Sequence, residues 1–383
     1  MKKQDRVWAL LAGGGTLGHV APGLAIAEEI SMRCNKREVV HFVGSRRGIE
    51  TTLVPEAGFT LTAITGRGIV RKLTWRNLSS IIGIAFATIQ TIANLARWRP
   101  AVVVGLGGFA SVPAVVAARV WRIPVIIAEQ NAVASAANRL GAKFAKATAV
   151  PFNGVNLPRA VLTGNPVRAS IVNVNRDQDQ QRARKKLGVD PQRKLLSVFG
   201  GSLGAAKINN ALLAALDHWQ DRQDLAIRHI TGKRDHAELN AKAAAYTNSD
   251  LALQIIEFET DMATVYAASD LILCRAGATS IAEISATGVP AILVPLPETP
   301  GDHQNANAKV LAKTHAAVVI ADHELNEKRL RQEVDNLIND TARLAAMSAA
   351  AQKHSRPHAA AAVVDLLERY AKRPLPVDQT HTS

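Results

Sequence analysis

The chain has 383 residues, and its 46 Lys and Arg against 32 Asp and Glu give a formal net charge of +14. Such a length accommodates two domains of roughly 100–200 residues with full cores, and 48% hydrophobic against 20% charged residues excludes a disordered chain. Cys34 and Cys274 are too few for a disulfide scaffold or a cysteine-based metal site, and 4% aromatic residues offer few platforms for stacking single-stranded nucleic acid.

No run of about 18 apolar residues is present to form a membrane span. Met1-Lys2-Lys3 leads through Asp5 and Arg6 into a short apolar run ending in glycines, which is not a signal peptide, so an intracellular chain is expected. The charge is one-sided. Residues 1–170 hold 21 Lys and Arg against 7 Asp and Glu, whereas the remainder holds 25 of each. The first half is therefore expected to meet an anionic surface, either nucleic acid or an acidic membrane face.

In chain order, apolar runs predict strands near Val7–Ala12, Val39–Gly44, Ala101–Gly105, Pro124–Glu129 and Val161–Gly164. A second series follows near Leu195–Gly200, Ile227–Thr231, Gln254–Glu257, Leu271–Cys274, Ala291–Pro295 and Ala317–Ile320. Amphipathic stretches between them make this a βαβ alternation, the pattern of doubly wound parallel sheets. The polar stretch 171–181 separates the two series and reads as an interdomain region, followed by a basic helix near Arg182–Leu187. The expected division is residues 1–168, residues 169–355, a helix within 356–371 that packs back toward the first domain, and a loose tail over 372–383. Two such domains would bind ligands in a cleft at the carboxyl ends of their strands.

Three glycine-rich turns each follow a predicted strand and open a predicted helix: Ala12–His19, Gly105–Ser111 and Gly200–Ala206. Glycine lets backbone approach a ligand closely, and free N–H groups at a helix start favour phosphate. A fourth element runs Cys274-Arg-Ala-Gly-Ala-Thr-Ser-Ile-Ala-Glu283 and places Thr279 and Ser280 in a first helical turn, with Glu283 one turn on. A carboxylate there suits ribose hydroxyls. The fifth is Pro300–Ala308, where helix capping would account for Asp302 but leaves Gln304 to meet sugar hydroxyls.

Together these residues resemble the MurG family of N-acetylglucosaminyltransferases over nearly the whole chain, from Gly13 to about Val319. The matching residues include His19, Gly107-Gly108, Glu129-Gln-Asn131, Gly164-Asn-Pro-Val-Arg168, Gly200–Ala205, Cys274–Glu283 and Asp302–Ala308. The resemblance implies an α/β GT-B glycosyltransferase of two Rossmann-like domains. It further implies inverting transfer of GlcNAc from UDP-GlcNAc to the muramyl C4 hydroxyl of lipid I, giving lipid II for peptidoglycan, with no cofactor and no metal. On this basis Ser202, Gly204, Ala205 and Ala278, Thr279, Ser280, Ile281 and Ala282 would face the donor, and Arg168 would add a cation for the leaving UDP. Glu259 and its backbone would flank the uracil, Glu283 would hold the ribose and Gln304 the GlcNAc hydroxyls. Thr16, Leu17, Gly18 and Asn131 would line the acceptor side or close over the sugar.

The attacking hydroxyl must lose a proton. His19 and His41 are the histidines of residues 1–170, and His19 alone lies in a glycine loop, which makes it the candidate base. The sequence departs from the family at Leu17, Leu203, Phe109 and Ala128, the last standing where a histidine commonly precedes Glu129; Glu129 is the second candidate base. The segment 66–86 combines Arg67, Arg71, Lys72 and Arg76 with Trp75, Leu78, Ile81, Ile82 and Phe86. A lipid-tethered acceptor makes this an expected contact with an anionic membrane, peripheral and on the cytoplasmic side, rather than a core helix.

The rivals are weaker. An oxidoreductase would need an acidic residue at the end of Val39–Gly44 for ribose recognition, and a nucleic-acid binder would need a helix-turn-helix or zinc-finger signature. A UDP-GlcNAc epimerase or another GT-B sugar-nucleotide enzyme is the nearer alternative. The triplet Asp177-Gln-Asp179 lies in the polar stretch rather than after a buried strand and is assigned to chance.

Overall fold

The structure, a computed structural model, describes residues 7–65, 75–201 and 203–376, and of residues 75–82 the backbone alone. The chain divides into two compact units, one made of residues 1–168 with 356–383 and the other of residues 169–355.

The first unit alternates β1 (Ala9–Gly13), α1 (Leu17–Cys34), β2 (Val40–Ser45), α2 (Glu50–Glu56), β3 (Thr60–Ile64) and α3 (Trp75–Trp98). It continues with β4 (Val102–Gly107), α4 (Ser111–Val120), β5 (Val125–Ala128), α5 (Ala136–Ala142), β6 (Ala147–Val150) and β7 (Ala160–Leu162). All seven strands are parallel, in the order β3-β2-β1-β4-β5-β6-β7. Helices cover both faces, so the central strands read as unbroken apolar runs; every residue of β1 and β4 is buried.

The second unit holds α6 (Ala169–Val172), α7 (Arg176–Leu187), β8 (Lys194–Phe199), α8 (Ala206–Trp219), β9 (Leu225–Ile230), α9 (His236–Ala243) and β10 (Ala252–Ile256). After these come α10 (Met262–Ala268), β11 (Leu271–Cys274), α11 (Ala278–Thr287), β12 (Ala291–Leu293), α12 (His303–Ala312), β13 (Ala317–Val319), α13 (Glu327–Ile338) and α14 (Thr341–Gln352). Its six strands are also parallel, in the order β10-β9-β8-β11-β12-β13. In both sheets the chain starts at the middle, winds to one edge, then returns to the middle and winds to the other, which defines a switch point between β1 and β4 and between β8 and β11.

The helix α15 (Ala359–Tyr370) returns to the first unit, where Val363, Val364 and Leu367 join Trp8, Leu24 and Ile30 in the core. Arg33 on α1 pairs with Asp365 at 2.7 Å and Glu368 at 3.1 Å, and the Trp8 indole donates to the Arg373 carbonyl at 3.0 Å.

Two strands carried no apolar run in the sequence. β3 reads Thr-Leu-Thr-Ala-Ile and lies half-exposed at a sheet edge, while β6 is Ala-Thr-Ala-Val, buried but built of small residues. The polar stretch 171–181 is corrected more substantially. α7 begins at Arg176, six residues before the expected start, because the Asn175 side chain caps it by accepting from Gln178 N–H. Arg184, on the same helix, is buried against Asp270 and donates to the Ala268 carbonyl at 3.2 Å, which ties α7 into the second unit. Within that helix Asp179 accepts from Asn175 N–H at 2.9 Å and from Arg182 at 2.6 Å, so its carboxylate works as a helix-start acceptor.

Candidate functional site

In the second unit two glycine turns leave adjacent strands side by side, since Phe199 at the end of β8 is in register with Cys274 at the end of β11. The first turn folds tightly: Gly204 has φ +77°, and a Cβ there would stand 2.1 Å from the Thr231 carbonyl oxygen, so only glycine fits. Gly204 N–H donates to Gly201 O at 2.9 Å, so this residue shapes the turn rather than offering a donor. Ser202 lies outside the described residues. Ala205 precedes α8, whose first turn has no side-chain cap and no acidic residue.

The other turn ends at Gly277, and α11 likewise starts with neither a cap nor an acidic residue. By contrast α7, α10, α13 and α14 of the same unit are capped by Asn175, Asp261, Asn326 and Asp340. Helix starts leave N–H groups without intrahelical partners, and uncapped ones attract anions. Ile281 N–H already donates to Gly277 O at 3.0 Å, which confines the open donors of α11 to positions before it. The Thr279 hydroxyl is buried there with no hydrogen-bond partner. Ser280 and Ala282 are half-buried, whereas Ala278 and Ile281 turn into the core.

Glu283 is 8% exposed, and its Oε2 accepts from the Tyr266 hydroxyl at 2.8 Å. Tyr266 is fully buried, edge-on to Phe199 with ring centroids 6.2 Å apart, so the end of β8 fixes the phenol that aims Glu283. Cys274 is buried below, and burial with Glu283 nearby pushes its thiol far above the usual range. The Glu259 side chain is committed elsewhere: Oε2 pairs with Arg228 at 2.6 Å and Oε1 accepts from Asp261 N–H at 2.8 Å. Gln304 Oε1 accepts from Leu296 N–H at 2.9 Å, so its NH2 end is the one turned to other partners. Asp302 does not cap α12 as expected; it sits at φ +52° and accepts from the Asn305 side chain at 2.7 Å.

The first unit repeats the arrangement. Gly13 at the end of β1 is in register with Gly107 at the end of β4, and a Cβ on Gly108 would stand 2.5 Å from the Gly14 carbonyl oxygen. Thr16 precedes α1, and its hydroxyl lies 3.2 Å from His19 Nδ1. The His19 ring packs against Gly107, where a Cβ would come within 3.1 Å of Nε2. Leu17 is 36% exposed on the same turn, and Gly18 is half-buried. His41 is a core group instead: Nε2 lies 2.9 Å from the Thr62 hydroxyl, the ring packs on Trp98, and burial pulls it down to about 4.

Glu129, the second candidate base, lies at the centre of a hydrogen-bonded turn. It is 2% exposed, Oε1 accepts from Gln130 N–H, Asn131 N–H and the Asn131 amide, and Oε2 accepts from Ser135 N–H and the Asn138 amide, all within 3.2 Å. With both oxygens filled it organises the turn that presents Asn131. Arg168 closes the first unit, half-buried, with a buried Nε that has no partner. It is close enough to Glu28 to oppose the rise that burial causes in that carboxyl. Sequence reading missed Glu50, buried beneath the first glycine turn, and Tyr266, because both act through partners distant in sequence. Among the described residues no three His, Cys, Asp or Glu gather as metal ligands.

Residues 9–150 match the glycosyltransferase family 28 N-terminal domain and residues 195–363 the family 28 C-terminal domain. A relative from Syntrophus aciditrophicus, 39% identical over 94% of this chain and 97% of its own length, is named UDP-N-acetylglucosamine--N-acetylmuramyl-(pentapeptide) pyrophosphoryl-undecaprenol N-acetylglucosamine transferase. One of the same name from Geobacter sulfurreducens is 38% identical over 93% of this chain and 96% of its own length. The chain belongs to the MurG family.

The crystal structure of Acinetobacter baumannii MurG superposes with a TM-score of 0.74 at 30% identity, covering 94% of this chain and 99% of that one. A UDP-GlcNAc 2-epimerase from Neisseria meningitidis shares the fold alone, with a TM-score of 0.65 at 13% identity. As a MurG-family member the chain has the GT-B fold, with two parallel α/β domains, and is a hexosyltransferase.

Tyr266→Phe removes one donor from a buried carboxylate, a loss worth about 1–3 kcal/mol. The expected outcome is a lower Tm and a several-fold higher KM for UDP-GlcNAc, with the acceptor KM unchanged, in melting curves and initial-rate measurements.

Proposed function

We infer that this chain transfers GlcNAc from UDP-GlcNAc to the C4 hydroxyl of MurNAc in lipid I, forming lipid II for peptidoglycan. Full-length relatives at 36–39% identity carry the reading, and the epimerase alternative has fold likeness alone behind it.

For the donor, the proposed site is the pair of uncapped helix starts of α8 and α11. As the anomeric bond breaks, UDP gains charge on its diphosphate. Fixed N–H groups and the orphan Thr279 hydroxyl would receive that charge without reorganising, an effect normally worth several kcal/mol of barrier. Glu283, aimed by Tyr266, would accept from the ribose hydroxyls. Gln304 would donate from its NH2 end to the sugar, and the Glu259 backbone would meet the uracil.

For the acceptor, the proposed site is the first unit's glycine turn, with Thr16, Leu17, Gly18 and Asn131. His19 takes the proton of the attacking hydroxyl; this reading is supported by the burial of His41, which pulls its imidazole down to about 4, and by the five hydrogen bonds that Glu129 already accepts. The Thr16 hydroxyl at Nδ1 would orient the ring so that Nε2 accepts the proton. No cofactor and no metal enters this scheme.

The proposed location is the cytoplasmic face of the cell membrane, peripherally bound to an anionic lipid surface. Among the described residues no helix is long and apolar enough to cross a membrane. Phe86 and Ile89 on α3 are 63% and 66% exposed, and on the neighbouring α4 Val120 is 57% exposed. Trp121, 42% exposed, donates its indole N–H to the Ile92 carbonyl of α3, and Arg119 and Arg122 are exposed beside it. Apolar side chains interleaved with exposed cations suit an acidic leaflet. Of the basic and apolar residues singled out in 66–86, Arg67, Arg71 and Lys72 and the side chains of Trp75, Arg76, Leu78, Ile81 and Ile82 lie outside the described residues.

Two measurements test this. Radiolabel should pass from UDP-GlcNAc to a lipid I analogue with EDTA present, and His19→Ala should lower kcat by about 100-fold or more with little change in donor KM. A near-normal kcat in His19→Ala would remove its base role. Changing Phe86, Ile89 and Trp121 together to Ser should release the protein from phosphatidylglycerol-containing vesicles in flotation assays, and unchanged flotation would place the contact elsewhere.

A further inference from the structure

We propose that Glu50 is a positioning residue for acceptor turnover, holding the first glycine turn in the conformation that presents Thr16 and His19. The proposal rests on the reading of that turn as the acceptor site. Gly13-Gly14-Gly15 has no side chains to define its path, and Gly14 and Gly15 adopt φ of +152° and +90°. Glycine populates such conformations freely, so a three-glycine segment needs an outside tether to hold one of them.

Glu50 supplies it. Its side chain is 1% exposed; Oε2 accepts from Gly15 N–H at 2.8 Å and Oε1 accepts from Ser45 N–H at 2.7 Å. The carboxylate therefore links the turn after β1 to the last residue of β2, and Glu50 reaches the turn across 35 residues of sequence. It sits in the first turn of α2, where an anion is favoured by the helix dipole. Three glycines make the space: a Cβ on Gly14 would stand 2.1 Å from Oε1, one on Gly48 2.0 Å from Oε2, and one on Gly44 2.5 Å from Cγ. A buried carboxylate is costly unless its oxygens are satisfied, so a site shaped on three sides to admit one has a specific use for its two acceptors. The residue after the tethered Gly15 is Thr16, whose hydroxyl contacts His19 Nδ1. The tether thus ends one residue from the pair it would orient.

Both contacts are N–H to carboxylate oxygen. Glu50→Gln keeps shape and volume but forces its NH2 against one of the two N–H groups, so one tether breaks. The experiment measures kcat and acceptor KM with a lipid I analogue, the UDP dissociation constant by calorimetry, and both again in a His19→Ala background. Glu50→Gln should lower kcat/KM for the acceptor at least tenfold, leave the UDP dissociation constant within twofold, and lower the rate less than threefold when added to His19→Ala. Residues that act through one another are non-additive in this way, whereas a general loss of structure multiplies and weakens UDP as well. If Glu50→Gln does not fold, Gly48→Ala displaces the same carboxylate at a position with ordinary backbone angles and should give the same pattern. An acceptor kcat/KM within threefold of the parent, or a parallel loss of UDP binding, overturns the proposal. A near-normal His19→Ala would instead reject the base reading, and the acceptor effect of Glu50→Gln would still stand or fall by itself.

Discussion

Everything functional in this molecule depends on parallel pairing between the two strands at the middle of each sheet. Because β1 lies beside β4 and β8 beside β11, the turns that follow them emerge together at the carboxyl end. Helices then leave on opposite faces, and their uncapped starts collect at one place in each unit. Glycine is required there for packing before any ligand is considered: Gly108 lies against Gly14 and Gly204 against Thr231 with no room for a side chain. These glycines let the turns nest, and the helix starts that follow them leave backbone N–H groups without intrahelical partners, which is the chemistry a diphosphate needs.

Buried glutamates are the second constraint. Each turn bends backbone away from the sheet, so its N–H groups lose their ladder partners and must find others. Glu129 absorbs five donors around its turn, and Glu50 takes one from the first glycine turn and one from the end of β2. Glu283, on α11, accepts at Oε2 from the Tyr266 hydroxyl, a side-chain donor on the neighbouring helix α10 rather than a turn N–H.

The sequence disclosed most of the fold because doubly wound sheets bury their central strands on both faces. Leu271–Cys274 has the bounds that its apolar run predicts, and the helix Ala359–Tyr370 falls within the predicted segment 356–371. β3 and β6 were silent because an edge strand and a small-residue strand carry little hydrophobic signal. The first half of α7 was misread because its polarity suggested a linker, while its anchors, Arg176 to the Ser269 carbonyl and Arg184 to Asp270, reach partners 93 and 86 residues away in sequence. The site was legible as motifs but not as wiring. The five donors around Glu129 could not be read from its position in the sequence, and Glu50 and Tyr266 have no motif because their partners are brought close by the fold.

The central claim is that the second unit's two helix starts hold the sugar-nucleotide diphosphate. A crystal of the full chain soaked with UDP tests it most directly. The account predicts diphosphate oxygens within hydrogen-bonding distance of backbone N–H groups at the start of α8 and at Thr279–Ser280, with ribose hydroxyls at Glu283. Density for the nucleotide at the first unit's turns, with the 277–283 segment empty, would contradict it.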